Sequence, residues 1–498
     1  MGPFIITIFI MYLINIPLTY TLSLFFRRNS LYTVLSIFFP FLTELLLFIL
    51  NKPNLGEGKD FMDFVDVCWY RLTTPENPMV ITASIGGKGQ IDWKNARQLL
   101  FLEFTKHKRF CQRISKLNGY YILESVPMNI DNHIIIDTTA FKTYEQYINI
   151  LEKYKSAPLD TDKPQWKIYL YTNVMNEWRI LARVSHCYCD GMTAMRLLKE
   201  STQHISSIIF NEEPNYHFLD INKQIPKLSS LANKQQPATI IKRLCRILII
   251  PYYMVKSFFV RGDFTKELRK PLSGKQLVFW RKLDSIENIK SIARYYDGTL
   301  NSLLFSCLNI SYSNILKRKG SSSKQLQFYI ATNLRPFEPQ IKLGNNIGLL
   351  LMKLPLQETD LNSLVKYMKK QLDNAKESME AYSYYLLQGF VGLLPDWMES
   401  IGIKIVSQKA TLNVTTLPGP QDKVNFFGSE VDDFIGFVPH LGTTGNGISF
   451  IGSGGDLFVS FAVDSNLDID PKKLYENFES AYHQFSSTKE YNKLLCCY

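Results

Sequence analysis

From Trp178 to Ser185 the chain alternates: Trp178, Ile180, Ala182 and Val184 are apolar, and Arg179, Leu181, Arg183 and Ser185 lie between them. A period of two is the signature of a strand. Beyond Gly191, residues 192–200 read as helix. The junction Ser185-His186-Cys187-Tyr188-Cys189-Asp190-Gly191 therefore runs from strand through loop to helix. A rigid strand end can hold a side chain over a cleft, which makes His186 a candidate catalytic residue. A lone His-x-x-x-Asp-Gly is weak evidence, so its meaning depends on the rest of the chain.

The same alternation of element types recurs on both sides of this junction. Residues 79–85, 120–126, 133–137, 166–171 and 178–184 read as strands, 92–107 as helix and 172–177 as a hairpin turn. They predict a mixed α/β domain from about 55 to 215. From residue 276 a second unit of similar content follows. Its predicted strands are 278–283, 327–332, 349–354, 411–416, 434–438 and 457–463; its helices are 285–296, 300–316, 361–379 and 469–485. A chain of 498 residues exceeds the usual size of one core, so two domains, 55–215 and 276–498, are expected. The crossover between them, 216–275, holds a run from 240 to 261 in which Lys242, Arg243, Arg246, Lys256 and Arg261 punctuate apolar residues. That run fits a membrane-surface helix and a crossover helix packed between domains equally well, and Pro251 would kink either.

The N-terminus differs from both units. Residues 3–26 carry no charge, Arg27 and Arg28 follow, and 31–50 is apolar except for Pro40 and Glu44. A bilayer is crossed by ~20 residues of helix. Residues 1–50 are therefore expected to be a membrane anchor of one or two helices. There is no basic region before the apolar core, which argues against a cleaved signal peptide. The net charge of +11 is spread along the chain without a basic block or a finger motif, which excludes nucleic-acid binding. Such a charge suits anionic lipid headgroups or a phosphorylated cosubstrate. The cysteines are scattered, and Cys187-x-Cys189 lacks a second pair at zinc spacing, so reduced thiols and no metal are expected.

Blocks of residues in a fixed order carry a family resemblance. They are Val65-Asp66-Val67-Cys68-Trp69, Arg109 to Arg113, Ile130-Asp131-Asn132-His133, Pro158 to Asp160 with Pro164 to Trp166, and Ser185 to Gly191. Thr299 to Ser302, Asn333 to Arg335, Gly344-Asn345 and Thr415 to Pro420 continue the order. The chain resembles the bacterial-type wax ester synthase/diacylglycerol acyltransferases, within the wider CoA-dependent acyltransferases that share a His-x-x-x-Asp motif. It departs from that pattern where Ser185 replaces the first histidine of a pair, Ser302 replaces an aspartate, and Thr415-Thr416 replace Ser-Asn.

The resemblance implies an α/β, two-domain chloramphenicol-acetyltransferase-like fold with mixed sheets, here preceded by N-terminal membrane helices. It implies acyl transfer from acyl-CoA, as cosubstrate, to a fatty alcohol or diacylglycerol, with no cofactor. The residue chemistry agrees: a neutral imidazole can take the proton of an alcohol as it attacks a thioester, and His186 is the candidate base. Asp190 is expected to point away from the cleft and pair with Arg335, or alternatively with Arg71. Gly191 is expected to supply a backbone conformation that a side chain hinders. Asn301 and Asn413 are both candidates for oxyanion or substrate binding. His133 is expected to be structural, and Pro418-Gly419-Pro420 a rigid turn. Two other readings stand beside this one: a catalytically inactive membrane-anchored lipid-binding homologue, and an acyltransferase for a non-lipid acceptor. Lipid substrates and the apolar N-terminus point to a membrane location, the endoplasmic reticulum ahead of the plasma membrane or a lipid droplet. The sequence does not speak to the oligomeric state.

Overall fold

A computed structural model describes residues 52–210, 252–253, 256, 259–263, 265–335, 341–356, 360–394, 407–420 and 422–495. The expected membrane anchor over 1–50 and most of the 240–261 run lie outside these residues. Among the described residues no helix is long and apolar enough to cross a membrane.

The first half contains β1 (Lys59–Phe61), α1 (Phe64–Arg71), β2 (Val80–Gly87), α2 (Trp93–Thr105), β3 (Gln112–Leu117) and β4 (Tyr120–Ser125). It continues with α3 (Ile130–His133), β5 (Ile134–Phe141), α4 (Tyr144–Ser156), β6 (Trp166–Val174), β7 (Glu177–Ser185) and α5 (Gly191–Phe210). The second half holds β8 (Gln276–Ser285), α6 (Ile286–Tyr295), α7 (Leu300–Arg318), β9 (Gln325–Asn333), β10 (Ile347–Pro355), α8 (Leu361–Glu377) and α9 (Glu380–Leu393). It ends with β11 (Leu412–Leu417), β12 (Asn425–Phe426), β13 (Ser429–Phe437), β14 (Asn446–Ser453), β15 (Asp456–Asp464) and α10 (Pro471–Leu495). Side-chain caps fix several helix starts: Asp92 accepts from Lys94 and Asn95, and Thr143 with Gln146 forms a capping box.

Two six-stranded mixed sheets organise the molecule, in the orders β12-β13-β2-β7-β6-β5 and β10-β9-β11-β14-β15-β8. The second of these sheets is built entirely from residues after 275, and the first is not. Strand β13 leaves the second half and pairs antiparallel with β2, from Val431 opposite Gly87 to Phe437 opposite Thr82. The central β2 edge is free for it because β7 occupies only the other side, through Val80↔Ser185 to Gly87↔Trp178. The first sheet thus takes its edge strands β12 and β13 from the second half, and the two sheets cannot separate along a sequence boundary.

Burial follows from this arrangement. One core joins the second sheet to α7, α8 and α10. Another lies around α1, β7 and the junction residues Cys187, Tyr188 and Cys189. A third sits where the two sheets meet, with Tyr147, Leu151, Tyr169 and Leu181 against Val278, Phe437, Phe458 and Ala462. The odd-numbered face of β7 looks into this last region. The even-numbered face, with Trp178, Ile180 and Val184, looks into the second. The alternation in sequence is therefore a division between two apolar cores.

Candidate active site

His186 follows β7 directly, and its backbone N–H donates to Met79 O at 2.9 Å, which continues the β2 pairing by one residue. Its ring is stacked on Trp69, with centroids 4.0 Å apart and planes 10° from parallel. The indole is itself held by α9, because Trp69 Nε1 donates to Gln388 Oε1 at 2.8 Å. His186 is 6% exposed and its Nδ1 has no hydrogen-bond partner. Burial lowers its pKa from 6.5 to about 4, with the nearby charge of Asp190 opposing that shift and Lys155 adding to it. The imidazole is neutral at physiological pH and has a free nitrogen.

Two buried ion pairs clamp the loop that carries it. Asp190 is fully buried and meets Arg335 Nη1 at 3.1 and 3.0 Å. It also caps α5 by accepting from Thr193 N at 2.8 Å, and it accepts from Asn346 N at 3.0 Å. Arg335 reaches on to Gly344 O at 2.9 Å. The second pair is Asp66 with Arg109, at 2.6 Å. Arg109 donates to Cys187 O at 2.7 Å. Asn345 bridges from Asp66 Oδ1 to His186 O, both at 2.8 Å. Gly344 packs here with a positive φ of 115°, where a Cβ would lie 3.0 Å from Asp66 Oδ2. The loop is thus fixed at the carbonyls of residues 186 and 187 and at the Asp190 carboxylate by groups from both halves of the chain, so His186 does not depend on local loop stiffness.

The site residues expected from sequence fall into three groups. His186, Asp190 and Arg335 come together, and Asp190 takes Arg335. Arg71 instead donates to the carbonyls of Val391, Gly392 and Leu394 at the end of α9. Gly191 does not have the backbone conformation expected of it: it has no positive φ, and a Cβ there would lie 3.0 Å from Leu417 Cδ1. Asn301 and Asn413 are not brought to His186 by any hydrogen bond or ring contact among the described residues. The Asn413 amide donates to Thr444 Oγ1 at 3.0 Å and Pro439 O at 3.4 Å. Asn301, in the first turn of α7, keeps a buried amide oxygen without a partner. His133 stacks on Trp166 and its Nδ1 lies 2.9 Å from Trp166 O, a structural role.

Other buried polar residues stand out less in the sequence. His440 is fully buried, with Nε2 at 3.1 Å from Ala462 O and Nδ1 unpartnered. Burial, helped by Lys155, lowers it also to about 4. Asp66, Arg109 and Asn345 are visible in the sequence only as members of ordered blocks; their convergence is tertiary. Among the described residues no group of His, Cys, Asp or Glu could hold a metal ion.

This architecture is shared by proteins of known structure. The wax ester synthase/diacylglycerol acyltransferase from Marinobacter aquaeolei VT8 superposes with a TM-score of 0.60 at 13% identity, covering 86% of this chain and all (100%) of that one. The first condensation domain of the calcium-dependent antibiotic synthetase gives 0.61 at 12% identity, covering 87% of this chain and 97% of that domain. These define a two-domain, condensation-domain-like α/β fold. Residues 79–245 match the wax ester synthase/diacylglycerol acyltransferase catalytic domain, and residues 343–486 the C-terminal domain of the same proteins. Wax ester synthase/diacylglycerol acyltransferase 9 of Arabidopsis thaliana is 24% identical over 454 residues, 80% of this chain and 90% of its own length. A probable diacylglycerol O-acyltransferase of Mycobacterium tuberculosis is 18% identical over 68% of this chain and 74% of its own. The chain belongs to the wax ester synthase/diacylglycerol acyltransferase family, a family of acyl-CoA-dependent O-acyltransferases.

Proposed function

We propose that this enzyme moves a fatty acyl group from acyl-CoA to a lipid alcohol at a membrane, forming a wax ester or a triacylglycerol, with His186 as the base. The observation that carries the reading is a neutral, buried imidazole with a free nitrogen, on a loop clamped from both halves. His186 takes the hydroxyl proton as the alcohol oxygen attacks the thioester carbon. The tetrahedral intermediate then collapses, the carbon–sulfur bond breaks, and the proton passes from His186 to the departing thiolate. A thiolate leaves readily, so no covalent acyl-enzyme is needed. Acyl-CoA is the cosubstrate and no cofactor takes part. Purified protein incubated with labelled palmitoyl-CoA and either hexadecanol or dioleoylglycerol is expected to form labelled neutral lipid in at least one case. Absence of product with both, alongside transfer to a small polar alcohol or amine, would reject the lipid acceptor.

Membrane association rests on the apolar residues 3–26 and 31–50. It is also supported by an exposed apolar stripe on α9, where Tyr382, Leu386 and Phe390 recur every four residues at 41%, 36% and 39% exposure. Phe64, 38% exposed at the start of α1, lies beside the end of that helix, since a Cβ on Gly392 would meet Phe64 O. Phe64 thus extends the apolar stripe at the end of α9. The reading has one span over 3–26, a second stretch embedded or interfacial, and the catalytic domain on the cytosolic face of the endoplasmic reticulum. Arg27 and Arg28 on the cytosolic side agree with it. Deleting residues 1–50 is expected to release most of the protein from microsomes. A C-terminal tag on the full chain is expected to be digested by protease in sealed microsomes; a protected tag would place the domain in the lumen and overturn this orientation.

A further inference from the structure

The interface between the sheets buries two cations that the mechanism does not use. Lys155, near the end of α4, and Arg183, on β7, are 1% and 2% exposed. Lys155 Nζ has one hydrogen bond, to Val438 O at 3.3 Å. Arg183 donates to Ala157 O and to the Tyr169 hydroxyl, and its Nε has no partner. Among the described residues neither has a carboxylate beside it; the charge next to Lys155 is Arg183, and tyrosine hydroxyls of Tyr169, Tyr154 and Tyr171 surround Arg183. Burying like charges together with no counter-charge is costly. The same sheet face shows that pairing is available elsewhere: Arg179, four residues earlier on β7, meets Asp433 and Glu177, each at 2.6 Å. Burial and Arg183 pull Lys155 down to about 7.

The surroundings are polar and incomplete. Thr82 and Lys167 are the strand neighbours of Arg183 on β2 and β6. Thr82 Oγ1 and the Tyr171 hydroxyl are buried without partners. Lys167 is half-buried, and Lys163 beyond it is 44% exposed and paired with Asp160 at 3.0 Å. A line of cations thus runs inward from the surface through Lys163, Lys167 and Arg183 to Lys155, with its single carboxylate at the outer end. The field of Lys155 is felt at both His186 and His440. Buried cations with no carboxylate beside them, at the inner end of a row of positive charge, are what a phosphate group needs.

We propose that Lys155 and Arg183, with Lys167 at the rim, form a buried subsite for a phosphate group of a substrate. The choice of substrate rests on the acyl-transfer reading: the phosphate is either that of the CoA donor or that of a phosphorylated lipid acceptor. Calorimetric titration of the full-length protein with CoA, pantetheine and a lysophosphatidic acid reads the subsite without turnover. If the donor supplies the phosphate, CoA binds at least about ten-fold more tightly than pantetheine, and Lys155→Met removes about ten-fold from the CoA affinity alone. If the acceptor supplies it, Lys155→Met leaves CoA unchanged and weakens lysophosphatidic acid by the same factor. Lys167→Gln, at a half-buried position that tolerates the change, lowers affinity for the same ligand several-fold. Wild-type affinity for both phosphorylated ligands in folded Lys155→Met and in Lys167→Gln overturns the subsite. Binding that depends on Lys155 in a protein that transfers no acyl group would instead leave the subsite standing and reject the acyl-transfer reading.

Discussion

His186→Ala is expected to lower kcat by about a hundred- to ten-thousand-fold, the usual contribution of a positioned general base, while leaving a folded protein. The loop survives the change because none of its anchors uses the imidazole: Asn345 holds His186 O, Arg109 holds Cys187 O, and Arg335 holds the Asp190 carboxylate. The pH profile sharpens the test. A free imidazole titrates near 6.5, but burial holds His186 near 4. The acid limb of kcat/KM is therefore expected near pH 4, with nearly full activity retained at pH 5.5. Stability moves in the corresponding direction. Between pH 4 and 6.5 the unfolded chain binds a proton at this position that the native state refuses, so the native state weakens as pH falls through that window. His440 acts in the same sense, since it too is lowered to about 4. His186→Ala should flatten part of this slope. Normal turnover by a folded His186→Ala protein would remove the residue from the mechanism.

How much of this was legible depends on whether a feature was local. The β7 alternation and the turn into α5 follow from side-chain periodicity and a helix cap, and both lie within fifteen residues of chain, roughly the window in which pattern speaks. The Asp190–Arg335 pair was also legible, through the order of the family's blocks. Helix α4 went unread although Thr143-x-x-Gln146 is a capping box, because Tyr147 and Leu151 are embedded among polar and charged residues. Strand β14 went unread for the opposite reason. It is buried on both faces along its length, so it shows no alternation, and Gly447 and Gly452 give it the look of a loop. The return of β13 to the first sheet has no local trace; it depends on a free edge built about 350 residues earlier, at β2. Lys155 and His440 lie outside any motif, and only the meeting of α4 with the segment after β13 brings Lys155 within the field of both His186 and His440. The departure at Ser185 reads more clearly in three dimensions: its hydroxyl lies 3.2 Å from Cys187 Sγ inside the clamped loop. The surrounding anchors are intact, which argues against an inactive homologue.

Asp190→Ala is expected to destabilise the fold by about 3–5 kcal/mol, the cost of leaving a buried charge without its partner, and to lower activity as a consequence. The carboxylate has no exposure, whereas Arg335 keeps 15% of its side chain accessible. Four groups converge on it: Arg335, the N–H and hydroxyl of Thr193, and Asn346 N. Removing it strands the guanidinium, uncaps α5 and unlinks the β10 approach from the His186 loop. Loss of the cap alone would cost ~1 kcal/mol. Asp190→Asn separates the two contributions, because its amide oxygen can still accept from Thr193 while its NH2 faces the donors of Arg335 and Asn346. If the ion pair dominates, Asp190→Asn should melt close to Asp190→Ala, roughly 5–10 °C below the wild type. Melting close to the wild type would show that the cap carries the stability. Asp190 makes no hydrogen bond to the imidazole, so a positioning role predicts that activity and melting temperature fall together in both variants. An unchanged melting temperature with activity lost would instead make the carboxylate a direct participant in the chemistry.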